Sequence, residues 1–182
     1  MSAAAAGAPL RVVTESPDET KQVAARLAQL VRAGDVVLLV GDLGAGKTAF
    51  AQGFAAALGV PGPVTSPTFA LVRHYGTGTG SPVATLIHAD VYRTGSLHEV
   101  TDLALAELVE EDAVAVVEWG DVAAPALGDS ALVVTLEAPD AHGAPGRRTI
   151  TVELRGRWAA RTAEVAAAFG SLELSAAPQG SA

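Results

Sequence analysis

The sequence predicts an α/β domain, a P-loop NTPase-like mixed β-sheet with helices on both faces. Three observations carry this. Residues 36–40 and 113–117 are unbroken apolar runs of strand length, the pattern of strands buried on both faces of a sheet. The first of them leads into Gly41-Asp42-Leu43-Gly44-Ala45-Gly46-Lys47-Thr48, which fits the phosphate-loop pattern G-x-x-x-x-G-K-[ST] at every fixed position, and then into a helix-like run over 49–58. Segments 69–75 with 83–87, and 131–137 with 148–154, read as antiparallel pairs closed by Gly/Pro-rich turns, which makes the sheet mixed.

The elements follow in order. Residues 10–14 form a short strand. Ser16, Pro17 and Glu19 then start a helix: Ser16 caps, Pro17 suits the first helical position, and Glu19 completes a capping box. Val23, Leu27 and Leu30 recur at helical spacing, with Gly34 as the expected stop. After the buried strand, the phosphate loop and its helix, residues 59–63 form a Gly/Pro turn. Ser96 and Glu99 form a second capping box, opening a helix that runs through Leu103 toward Leu108, and Glu110-Glu111-Asp112 is a solvated acidic turn. Residues 157–169 form a last helix with Trp158, Thr162, Val165 and Phe169 on one stripe and Gly170 as its stop.

At 182 residues, this is one domain with tails: a flexible leader over 1–9, the P-loop ATPase domain over 10–170, and a disordered, low-complexity tail over 171–182. An apolar fraction of 49% is ample for a core, although alanine inflates it and only 4% of residues are aromatic. The net charge of −8 makes the chain a poor nucleic-acid binder by itself, so any RNA connection has to run through a partner or a local patch. The chain has no cysteine, which excludes disulfides, thiolate catalysis and Cys-ligated metal and fits a cytoplasmic protein. There is no basic, strongly apolar signal sequence and no apolar run near 18 residues, hence no expected membrane span.

The phosphate loop sets the expected chemistry. Its glycines let several N–H groups converge on an anion, and the helix that follows adds the positive end of its dipole. Lys47 can reach the β- and γ-phosphates, and the Thr48 hydroxyl is placed to ligate Mg²⁺. Glu118 ends a buried strand at the edge where α/β sheets bind ligands, where a carboxylate can serve the Mg²⁺ shell. Asp90, ending another strand, can orient or deprotonate the attacking water. Period two places His88, Asp90 and Tyr92 on one face, with Arg93 next to them as a phosphate or carboxylate partner. His88 reads more readily as a hydrogen-bonded packing residue than as a catalyst. Trp119 fits equally a role over the nucleotide and a role in the core. Thr65-Ser66-Pro67-Thr68 is either a γ-phosphate-sensing loop or a plain proline turn.

The phosphate loop, Ser66-Pro67-Thr68-Phe69-Ala70-Leu71-Val72, His88-Ala89-Asp90-Val91-Tyr92-Arg93 and Glu118-Trp119, in this order, resemble the TsaE (YjeE-type) family of P-loop ATPases. The resemblance covers about residues 10–155. It implies an ATP hydrolase acting in biosynthesis of the tRNA modification threonylcarbamoyladenosine (t6A), with ATP and Mg²⁺ as cofactors. Gly41, Asp42, Leu43, Gly44, Ala45, Gly46, Lys47 and Thr48 would hold the nucleotide. Thr48 and Glu118 would serve the metal, and Lys47, Asp90 and Glu118 would serve hydrolysis. The Ser66-Pro67-Thr68 loop would act as a switch, with Thr68 and Trp119 at the nucleotide. Arg147, in a late Gly-Arg pair, and Glu19, at the first helix start, would also approach it. The implied partners are TsaD-like and TsaB-like proteins, with tRNA met only through them. Two other readings of the same motif are a small-molecule kinase and a nucleotide-gated binding module with little turnover. A kinase would need an Arg-rich lid, yet Arg93 is the lone arginine between Tyr75 and Trp119.

Overall fold

The computed structural model describes residues 8–67, 71–92, 109, 112–127, 129–139 and 144–170. Seven strands form one sheet: β1 (Leu10–Thr14), β2 (Asp35–Val40), β3 (Val72–Gly76), β4 (Thr85–Asp90), β5 (Ala113–Glu118), β6 (Leu132–Glu137) and β7 (Arg148–Leu154), in the order β1-β7-β6-β2-β5-β4-β3. β2 lies between β5 and β6 and is parallel to both; β4 is parallel to β5. β1 with β7, β6 with β7 and β3 with β4 are antiparallel, so the sheet is mixed, as the sequence predicts.

Four α-helices are described: α1 (Pro17–Ala28), α2 (Lys47–Ala57), α3 (Gly120–Leu127) and α4 (Thr162–Phe169). Ser16 caps α1 by accepting from the Glu19 amide at 3.2 Å, while the Glu19 carboxylate accepts from the amide of Glu15 at 2.8 Å, one residue beyond the expected reciprocal contact. α1 ends at Ala28, ahead of the expected stop; Gly34, at φ 82°, instead turns the chain into β2. α3 is absent from the sequence reading, because Pro125 inside it reads as a breaker. The stripe through Trp158 and Phe169 is buried as expected, but its first turns, Gly156–Arg161, are a 3₁₀ helix. The second capping box, its helix, and Glu110 and Glu111 lie outside the described residues, as do residues 1–7 of the leader and all of 171–182.

The sheet is covered on both faces. On one, Phe50 and Phe54 of α2, Leu27 of α1 and Trp158 pack on Val37, Leu39, Val116 and Val134. Each such fully buried side chain contributes roughly 1.5–3 kcal/mol of transfer free energy. On the other face, Ala123 of α3 packs with Val36, Leu38, Ala115 and Val117. Strand alternation divides β2 and β5 between the two cores, which is why both read as continuous apolar runs. α1 and α2 come close at Gly53, where a Cβ would stand 2.5 Å from the Lys21 Cα. A buried pair missing from the sequence reading, Arg161 on both oxygens of Asp35 at 2.7 and 2.9 Å, ties the 3₁₀ turn to the start of β2.

Candidate functional site

The C-terminal ends of β2, β4 and β5 point the same way, because these strands are parallel, and they open on one cavity of about 510 Å³. Gly46 enters α2 at φ 107°, a left-handed conformation that a side chain would strain, and the first turn of α2 starts immediately after it. Lys47 and Thr48 therefore begin the helix at the cavity wall. A larger cavity of about 560 Å³ lies between α1, α2 and residues 62–64, where among the described residues Lys21 is the lone charged lining residue and no carboxylate is present. The carboxylates and hydroxyls that phosphate chemistry requires converge on the first cavity instead.

Lys47 is buried, and its Nζ donates to the carbonyls of Gly41 and Asp42 at 2.5 and 2.8 Å, beneath the Trp119 ring at 3.9 Å from its centroid. Burial pushes the Lys47 ammonium below its ordinary value of 10.5, while Glu118, Asp90, Asp42 and Asp121 push it back up. The Thr48 hydroxyl lies 3.2 and 3.1 Å from the two oxygens of Glu118. Asp90 and Glu118 are register partners on adjacent parallel strands, which sets the two carboxylates side by side. The Ser66 hydroxyl donates to Asp90 Oδ2 at 2.6 Å, and the Tyr92 amide donates to Oδ1 at 3.1 Å. His88, one turn of the pleat earlier on the same face, meets Glu118 Oε1 at 3.0 Å through Nε2.

Trp119 is neither pure core nor solvent-facing. It follows β5 at φ 62°, a conformation costing a non-glycine residue of order 1–3 kcal/mol, and this turn lays its ring over Lys47. Tyr92, 56% exposed, packs against it at a tilt of 33° with ring centroids 4.5 Å apart. Leu43, at the loop tip, is 83% exposed.

The structure thus gathers Lys47, Thr48, Asp90, Glu118, Trp119 and Ser66 around one cavity. Arg147 stands apart: its Nε lies 3.5 Å from the Glu15 carboxylate, on the corner that also holds Glu19. Its neighbour Arg148, which the sequence reading missed, touches the phosphate loop, donating to the carbonyls of Ala45 and Gly44 at 2.9 and 3.1 Å. Arg148 opens β7, whereas Arg147 stands in the turn before it, its amide bonded to the Ala144 carbonyl, so it is where the strand begins that decides which arginine reaches the loop. Thr68 and Arg93 lie outside the described residues.

The donor set fits a magnesium nucleotide. Thr48 and Glu118 offer hard oxygen ligands in contact with each other, and Mg²⁺ needs few from protein because it keeps much of its water. Among the described residues no group of three or more His, Asp or Glu side chains could hold a metal by itself. Also among the described residues, no helix is long and apolar enough to cross a membrane.

The model of one protein family, described as threonylcarbamoyl adenosine biosynthesis protein TsaE, matches residues 14–150. The chain is 42% identical to the tRNA threonylcarbamoyladenosine biosynthesis protein TsaE of Streptomyces coelicolor, an alignment covering 82% of this chain and 99% of that one. It is 40% identical to the Bacillus subtilis protein of the same name, over 68% of this chain and 75% of the relative. The crystal structure of Bacillus subtilis YdiB superposes with a TM-score of 0.68 at 31% identity, covering 87% of this chain and 95% of that one.

Proposed function

This chain belongs to the TsaE family of threonylcarbamoyl adenosine biosynthesis proteins, and from that premise we propose that it is a cytoplasmic Mg²⁺-dependent ATPase that drives assembly or turnover of the complex making t6A at position 37 of tRNA. The observation that carries the chemistry is the contact of Thr48 with Glu118 at the mouth of the phosphate loop, with Asp90 in register beside it.

The roles follow from position. The amides of residues 44–48 bind the phosphates of ATP, helped by the positive end of the α2 dipole. Lys47 turns from the carbonyls of Gly41 and Asp42 to the phosphate oxygens, a better partner for a buried cation. Thr48 and Glu118 would hold Mg²⁺, which would supply positive charge against the phosphates. Asp90, oriented by Ser66 and by the Tyr92 amide, positions a water in line with the γ-phosphorus and accepts its proton; the water oxygen bonds to phosphorus, the bond to the β-phosphate oxygen breaks, and ADP and phosphate leave. Because Ser66 belongs to the loop after α2 and bonds to Asp90, its position couples hydrolysis to loop conformation. Arg148 holds the phosphate loop by its carbonyls; Trp119 lies beside the bound nucleotide, while Arg147, Glu19 and Thr68 remain proposed contacts at the rim.

TsaD-like and TsaB-like proteins are the proposed partners, and they grip the tRNA: a chain of charge −8 is poorly suited to hold phosphate backbones itself. The test is co-purification with those partners in ATP, in ADP and without nucleotide, alongside complementation of t6A loss. Nucleotide-dependent capture supports the reading. Full complementation by Lys47→Ala or Glu118→Ala protein would sink it. Hydrolysis that stays at background with the partners present would favour a nucleotide-gated module over an ATPase.

A further inference from the structure

We propose that His88 is a positioning residue that sets the orientation of the Glu118 carboxylate toward Mg²⁺, acting through Glu118 and touching neither metal nor nucleotide; this rests on the metal role given to Thr48 and Glu118 above. His88 is wholly buried and Glu118 nearly so, at 0% and 3% exposure. The contact is Nε2 to Oε1 at 3.0 Å. An ionised carboxylate only accepts, so the hydrogen belongs on Nε2, and the imidazole donates.

The arrangement is asymmetric. Oε1 receives both His88 and the more distant Thr48 hydroxyl at 3.2 Å, whereas among the described residues Oε2 meets Thr48 alone, at 3.1 Å. Thr48 stands nearly midway between the two oxygens, so it is the histidine that makes them differ: it occupies Oε1 and leaves Oε2 with lone pairs for the metal or one of its waters. Its own placement is rigid: His88 lies inside β4 opposite Val116 of β5, diagonal to Glu118 and on the same face. A packing role alone accounts poorly for it. Nδ1 is buried without a partner among the described residues, so a histidine present for volume would carry a desolvation cost that leucine avoids. Hydrogen bonds that orient a ligand from outside the metal shell are a general device for fixing ligand geometry.

The experiment measures Mn²⁺ binding to the ADP-loaded protein by electron paramagnetic resonance, with metal-free ADP affinity and thermal unfolding measured in parallel. His88→Leu should raise the Mn²⁺ dissociation constant roughly 10–100-fold and leave metal-free ADP affinity unchanged. His88→Gln, whose amide nitrogen can stand where Nε2 stands, should restore most of the lost affinity; His88→Asn, with a shorter reach, should not. Should the leucine protein fail to fold, the Gln and Asn pair decides alone. Equal Mn²⁺ affinities for those two, or a leucine protein that binds Mn²⁺ like the wild type, overturns the inference while leaving the metal site standing. A wild-type protein whose ADP complex binds no Mn²⁺ overturns the metal site and the inference together.

Discussion

The phosphate loop and the acidic edge opposite it meet in one cavity, but they are built differently. Residues 41–48 are contiguous, and their shape comes from local conformation: a strand end, glycines with positive φ such as Gly44 and Gly46, and a helix start. Thr48 and Glu118 are 70 positions apart, and their contact exists because β2 and β5 pair in parallel with a given register. Local geometry thus builds the proposed anion cradle, while sheet register builds the proposed metal and water side. The first should tolerate perturbation of the sheet edge; the second should not.

Substitutions that strike one side and spare the other test this. The largest effect is expected for Lys47→Ala, where ATP hydrolysis should fall by about 10²–10³, the scale of losing one preorganised charge-stabilising group, with nucleotide affinity falling too in a calorimetric titration. Glu118→Gln should lower hydrolysis by about 10²-fold while metal-free ADP affinity stays near wild type; equal loss of both would show that the two sides are not separable. Arg148→Leu, which releases the carbonyls of Gly44 and Ala45, should weaken ADP binding by about tenfold, the equivalent of one charged hydrogen bond, without altering the Mg²⁺ requirement. Gly53→Ala forces α1 from α2 and should destabilise folding by about 1–3 kcal/mol in a denaturant titration, leaving ligand affinity of the folded fraction intact.

The pH dependence is the subtlest test. The Lys47 pKa is lowered in the folded protein, chiefly by burial, so between that lowered value and 10.5 the unfolded chain binds more protons. Stability therefore carries a penalty at low pH that is relieved as pH rises through this window. Phosphate affinity should move the opposite way, falling over the same window as the lysine loses its charge. Lys47→Met should remove both trends; their persistence would assign them to another group.

The sequence made the cradle legible because most of what shapes it is local, Arg148 on its carbonyls being the long-range exception. It also marked Asp90 and Glu118, since each ends an apolar run, a one-dimensional sign of a strand reaching the sheet edge. It could not show Arg148 on the phosphate loop, since that contact joins the start of β7 to Ala45 across 103 positions of sequence. Nor could it resolve Trp119, whose ring reaches Lys47 only through a left-handed residue after β5 that no propensity favours in tryptophan. Helix α3 was hidden by Pro125, which its packing on β2 outweighs.

By itself, the sequence determined the nucleotide loop, the covered mixed sheet and the order of its motifs, because glycine conformations, helix starts and apolar periodicity act over a few neighbouring residues. The tertiary structure alone decided which carboxylate oxygen meets which donor. Parallel pairing of β2, β4 and β5 brings His88, Asp90 and Glu118 to Thr48, and a shift of one residue in register would turn each of these side chains to the opposite face.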